Sequence, residues 1–99
     1  MRTLNKIREI LLKHIDELRR IYKIKEIGVF GSFIREKQKR NSDIDILVEF
    51  KDENIPDLLK FIEMESYLEK LLKKKVDLVR KGGVRPELKD IILKEVVYL

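Results

Sequence analysis

From Asp43 to Phe50 the chain reads Asp-Ile-Asp-Ile-Leu-Val-Glu-Phe, an alternation of polar and apolar residues that suits an extended strand and no helix. Ile44, Ile46, Val48 and Phe50 share one face of that strand, and Asp43 and Asp45 share the other. The apolar face requires a core, while the acidic face requires water or a cation. At a rise of roughly 3.3 Å per residue the two aspartates stand about 6 to 7 Å apart along the backbone, a gap their side chains can close onto a shared ion or ion pair. Glu49, farther along the same face, reads as an ordinary solvent-facing acid.

The flanking pattern builds a sheet-and-helix domain around this strand. Leu4, Ile7, Leu11, Ile15, Leu18 and Tyr22 recur at helical steps and predict one amphipathic helix over 3–22, with Thr3 as N-cap. His14, the only histidine, lies beside that stripe and reads as a packing or boundary residue. Ile24, Ile27, Val29 and Phe30 predict a short strand that stops at Gly31-Ser32, and Ser32 is expected to open a short helix reaching about Lys39. Backbone N–H groups at that helix start, together with the Ser32 hydroxyl, suit phosphate oxygens, and Arg35 would add a forked cation from the same side. A polar turn through Lys37, Lys39, Arg40, Asn41 and Ser42 leads into the acidic strand.

Beyond the turn at residues 51–54, Pro56 at a first helical position and Asp57 in the first turn predict a long helix. Its expected stripe is Leu58, Phe61, Ile62, Glu65, Leu68, Leu71 and Leu72. Val76-Asp77-Leu78-Val79 then reads as a short strand with one charge, and an acid inside an apolar run costs free energy unless it is paired or coordinates a metal. A basic loop from Arg80 to Arg85 precedes a final helix opened by Pro86, with Leu88, Ile91, Ile92, Val96 and Leu99 expected to face inward. The predicted order is α-β-α-β-α-β-α, an α/β (α+β) chain.

Composition bounds the rest. With 99 residues the expectation is a single domain, 1–99, too small to enclose a long substrate unaided. Apolar residues at 43% and charged residues at 41% predict a soluble globule, with no run of membrane-spanning length and no signal-like start. A cytoplasmic location is expected. The absence of cysteine excludes disulfides, thiol catalysis and cysteine-ligated metals. A net charge of +5 attracts anions, whether a nucleotide, a nucleic acid or an acidic partner, without choosing among them.

Taken singly these signals are weak, but each supplies a different part of one reaction. Nucleotidyl transfer needs Mg²⁺, which binds through a few carboxylates and substrate phosphates, and Asp43, Asp45 and Asp77 are candidates for those carboxylates. Gly31, Ser32 and Arg35 are candidate contacts for the triphosphate. Asp77, arriving on another strand, is the candidate base for the attacking hydroxyl.

Gly31-Ser32 with Arg35, Ser42-Asp43-Ile44-Asp45 with Leu47-Val48, and Val76-Asp77-Leu78-Val79 together resemble the minimal nucleotidyltransferase family of the polymerase-β-like superfamily. Such proteins resemble the antitoxin half of toxin–antitoxin pairs whose toxin is a HEPN-domain ribonuclease. The resemblance covers nearly the whole chain. It implies a small mixed sheet flanked by helices and an enzyme that uses ATP and Mg²⁺, as two ions, to attach AMP to a tyrosine of its partner toxin. It also implies a hetero-oligomer with that toxin, no membrane association and no stable binding of nucleic acid. The family's phosphate-contacting serine falls on Ser32, its two metal aspartates on Asp43 and Asp45, and its third acid on Asp77. Two positions depart from the pattern: Ile34 stands where a small residue is usual, and Glu36 where glycine is usual. Glu36 brings bulk and negative charge toward the expected triphosphate. The alternative reading is therefore an antitoxin that neutralises its toxin by contact alone. Transfer to a small molecule or an RNA end is a third reading, disfavoured by the small size.

Overall fold

A computed structural model describes residues 4–35, 42–51 and 55–99. The expected N-cap at Thr3, the polar turn from Lys37 to Asn41 and Glu36 lie outside the described residues. Among the described residues four strands form one sheet in the order β3-β2-β1-β4. They are β1 (Ile24–Phe30), β2 (Ile44–Phe50), β3 (Val76–Arg80) and β4 (Val97–Tyr98). β2 runs antiparallel to β1 and parallel to β3, and β4 runs antiparallel to β1, so the sheet is mixed. Among the described residues four α-helices accompany it: α1 (Leu4–Lys13), α2 (Ile15–Tyr22), α3 (Leu58–Leu72) and α4 (Pro86–Glu95). None of the described helices is long and apolar enough to cross a membrane.

The alternation in β2 sorts the two sheet faces. Ile44, Ile46, Val48 and Phe50 join Ile24, Ile27 and Val29 of β1 and Val76 and Leu78 of β3 in one apolar layer. Ile7, Leu11, Leu18, Tyr22, Met64, Leu68 and Leu72 from α1, α2 and α3 close over that layer. Asp45, Leu47 and Glu49 point to the opposite face, together with Phe30 and Gly28 of β1. There α4 and β4 approach so closely that a Cβ on Gly28 would lie 2.7 Å from Val96 Cγ2 and 2.9 Å from the Val97 carbonyl.

Several expectations are corrected. The first helix is two helices, broken at His14 (φ −112°, ψ 10°). The break separates a segment that buries Ile7 and Leu11 from one that buries Leu18 and Tyr22, and the Tyr22 ring packs against Tyr67 of α3 with 6.1 Å between centroids. In α3, Asp57 is the N-cap, its Oδ1 accepting from the Lys60 N–H at 2.8 Å, and Pro56 precedes the cap. The buried line of α3 is Met64, Leu68 and Leu72; Leu58 and Ile62, expected in the stripe, are 73% and 48% exposed. Leu88 and Ile91 of α4 also face outward, at 45% and 57% exposed. β4 was not expected; two residues are too few to show alternation.

β3 is an edge strand, and two of its outward N–H groups are covered by α3. The Val76 N–H donates to Glu69 Oε2 and the Leu78 N–H to Glu65 Oε2, each at 3.0 Å. The spacing matches because four helical residues rise about 6 Å and two strand residues about 6.6 Å. Carboxylates at i and i+4 therefore meet N–H groups at j+2 and j respectively, and they block that part of the edge against pairing with another chain. Glu65→Ala and Glu69→Ala are each expected to cost about 1–2 kcal/mol by leaving a part-buried N–H unpaired, measured by urea denaturation. An unchanged midpoint in both variants contradicts this role.

Candidate active site

Register decides what the acidic face can do. In the parallel pairing of β2 with β3, Asp45 stands directly beside Asp77, with Ile44 beside Val76 and Ile46 beside Leu78. Neighbouring strands lie about 4.8 Å apart, so the two carboxylates rise abreast from one face. On the other side of β2, Asp45 pairs with Phe30, the last residue of β1, so the turn that follows β1 starts next to the Asp45 side chain. Asp43 precedes β2 and is exposed, as is Asp77, while Asp45 is half-buried.

The described part of the expected helix opens as a 3₁₀ turn rather than an α-helix. Gly31–Phe33 forms one 3₁₀ turn, closed by the Ile34 and Arg35 N–H groups on the Gly31 carbonyl at 3.0 and 3.2 Å. Any continuation of a helix toward Lys39 lies outside the described residues. Gly31 has φ +78°, and a Cβ there would collide with the Asp45 carboxyl, so glycine is needed both for its backbone and for the space. Ser32 is half-buried on the turn, and Arg35 is exposed at its end.

The acids affect one another. Asp45 is raised from 3.8 to about 6, first by burial, then by the negative charges of Asp77 and Asp43, with Arg35 opposing and Glu95 adding to the rise. Among the described residues no three His, Cys, Asp or Glu side chains are drawn close enough to hold a metal ion as they stand. Glu49, on the same face, is met by Lys81 at 3.6 Å rather than by solvent alone. His14 lies in the helical layer across the sheet, its Nδ1 3.8 Å from Glu17 Oε2, and takes no part here.

Glu95, the last residue of α4, escaped the sequence reading. Its Oε1 accepts from the Gly31 N–H at 2.9 Å, and its Oε2 accepts from Arg35 Nη1 at 3.3 Å. The Gly31 N–H, expected to face a phosphate, is thus engaged within the chain. A glutamate in Lys94-Glu95-Val96 looks like any charge at the end of an amphipathic helix, and no local signal distinguishes it.

Comparison with known proteins agrees with this architecture. The nucleotidyltransferase domain family matches residues 11–99. A protein adenylyltransferase, MntA, of Thermococcus cleftensis is 52% identical over 99 residues, covering 100% of this chain and 98% of the relative. A solved toxin–antitoxin structure with AMP-PNP is 31% identical with a TM-score of 0.71, covering 87% of this chain and 69% of that chain. A tri-AMPylated HEPN toxin of Shewanella oneidensis in complex with MNT antitoxin matches with 27% identity and a TM-score of 0.68, covering 93% of this chain and 70% of that chain. A mixed sheet that brings two aspartates abreast beside a Gly-Ser turn, with a family match along nine-tenths of the length, leaves one conclusion: the chain belongs to the nucleotidyltransferase domain family, among its minimal antitoxin-type members.

Proposed function

We propose that residues 1–99 act as a single minimal domain that transfers AMP from ATP to a hydroxyl, a tyrosine by the family resemblance, of a partner HEPN toxin, and so neutralises it in the cytoplasm. The observation that carries this reading is the register pairing of Asp45 with Asp77 beside the Gly31-Ser32 turn. The relatives support it, one named as a protein adenylyltransferase, one solved with AMP-PNP and one solved with an AMPylated toxin.

In this reading Ser32 and Arg35 hold the triphosphate, the first by its hydroxyl and the second by its guanidinium. Asp43, Asp45 and Asp77 are the ligands for Mg²⁺. The donor set fits, since all three offer carboxylate oxygens, and the crowding of negative charge that raises Asp45 is what a divalent cation relieves. When bound, magnesium neutralises charge on the phosphates and orients the leaving group. The partner's hydroxyl oxygen attacks the α-phosphorus of ATP, the bond to the β-phosphate oxygen breaks, pyrophosphate leaves, and the hydroxyl proton passes to Asp77.

The reading of an antitoxin that works by contact alone draws on one observation, the exposure of Leu58 at 73% and Leu59 at 80%, which offers a partner an apolar surface. One experiment separates the two. ATP labelled at the α-phosphate is incubated with this protein, MgCl₂ and the HEPN partner. Label is expected on the partner, lost with EDTA and lost with Asp77→Asn. Tight complex formation without label under any divalent metal overturns the enzymatic reading.

A further inference from the structure

We infer that Glu95 is the positioning residue of the phosphate-contacting turn, an internal brace that grips Gly31 and Arg35 together and so sets where Ser32 and the guanidinium meet a nucleotide's phosphates. The inference rests on the reading that this turn contacts ATP.

The grip spans the whole turn. One carboxylate oxygen takes the N–H of its first residue, Gly31, and the other takes Nη1 of its last, Arg35. The partners are 64 and 60 positions away in sequence, so the contact ties two distant segments rather than neighbours. Glu95 is itself held on both sides. Ahead of it the α4 helix closes with the Val96 N–H on the Ile92 carbonyl at 2.9 Å. Behind it Val97 and Tyr98 pair with Val29 and Gly28 of β1. The carboxylate is thereby anchored to the strand that delivers the turn. Its side chain is 18% exposed, and charge-assisted bonds gain strength where water is partly excluded.

A carboxylate in this place has an electrostatic cost, because it adds to the negative charge around Asp45. Its two bonds compensate that cost. The geometry favours a brace over a competitor for the nucleotide. Glu95 meets Gly31 through its N–H, while Asp45 lies on the side where a Cβ would project. Gly31 is thus held between two acids and fixed in its left-handed conformation. Arg35 gives one nitrogen to Glu95 and keeps 51% of its side chain exposed, which leaves guanidinium surface for an anion. A side chain with five donors is well suited to serve both.

The test compares the full-length protein with Glu95→Ala, Glu95→Gln, Arg35→Ala and the Glu95→Ala/Arg35→Ala pair. Calorimetry measures binding of AMP-PNP with MgCl₂, melting follows the fold, and the transfer assay gives KM for ATP and kcat separately. Glu95→Ala is expected to weaken AMP-PNP binding about ten-fold and to raise KM for ATP more than it lowers kcat. Glu95→Gln, whose amide oxygen still accepts from the Gly31 N–H, should recover at least half of that loss on a logarithmic scale. In the Arg35→Ala background the same alanine change should cost no more than about three-fold, since part of its effect runs through the guanidinium. Equal or tighter binding by Glu95→Ala, or full additivity with Arg35→Ala, overturns the inference while leaving the proposed reaction standing. Failure of the unsubstituted protein to bind AMP-PNP overturns both.

Discussion

Asp45→Asn is expected to slow AMP transfer by about 10³-fold and, at the same time, to stabilise the fold. Asparagine keeps the shape of the side chain but loses the charge proposed to hold magnesium, so the loss should appear in kcat with the complex intact. The stabilisation follows from the raised proton affinity of Asp45, which moves from 3.8 to about 6 on folding. Between those values the folded state binds a proton that the unfolded state does not, so stability falls as pH rises through about 6. Above that pH the ionised carboxylate is a net cost, first from burial and then from Asp77 and Asp43. After discounting for its partial exposure to water, the cost is on the order of 1–2 kcal/mol. Urea denaturation at pH 8 should therefore show Asp45→Asn more stable by that amount, with the gap narrowing as pH falls through about 6. A variant that transfers AMP at the normal rate, or that is less stable than its parent at pH 8, contradicts the role given to this residue.

What could be read from the residues followed from how local the physics is. The alternation from Asp43 to Phe50 sorts faces within one strand, so the core and the acidic side of β2 were legible without a structure. Asp77 stood out because a charge within Val76–Val79 needs a reason. The meeting of Asp77 with Asp45 depends on register between segments 32 residues apart, and it was reached through the chemistry the three carboxylates could share, with the family pattern agreeing, rather than through spacing. Met64 was missed in favour of Leu58 and Ile62 because hydropathy marks apolar residues without saying which way a helix is turned. The break at His14 leaves no mark on the apolar periodicity of 3–22, which runs through it from Leu11 to Ile15 and Leu18 without interruption. Glu95 was illegible for the strongest reason: its two bonds are long-range and its own neighbourhood is ordinary.

Gly31→Ala is expected to be the most damaging single-methyl addition near the proposed site, costing about 2–4 kcal/mol and abolishing AMP transfer even where the protein stays folded. Two separate terms contribute. The left-handed backbone at φ +78° disfavours any side chain, by about 1–2 kcal/mol. The new Cβ would also overlap the Asp45 carboxyl, forcing the turn or the aspartate to move and straining the Gly31 N–H bond to Glu95. The terms can be separated with Asp45→Ala, which removes the obstructing carboxyl and leaves the backbone cost in place. In that background Gly31→Ala should cost only the backbone term, giving a coupling of about 1–2 kcal/mol between the two positions in a double-mutant cycle followed by urea denaturation. Additivity would mean that the turn yields freely and that the glycine serves backbone conformation alone. Coupling would mean that the acid of β2 dictates the glycine after β1, so that the Gly31 end of the Gly-Ser pair is fixed by the aspartate it must clear and only Ser32 remains for the phosphate.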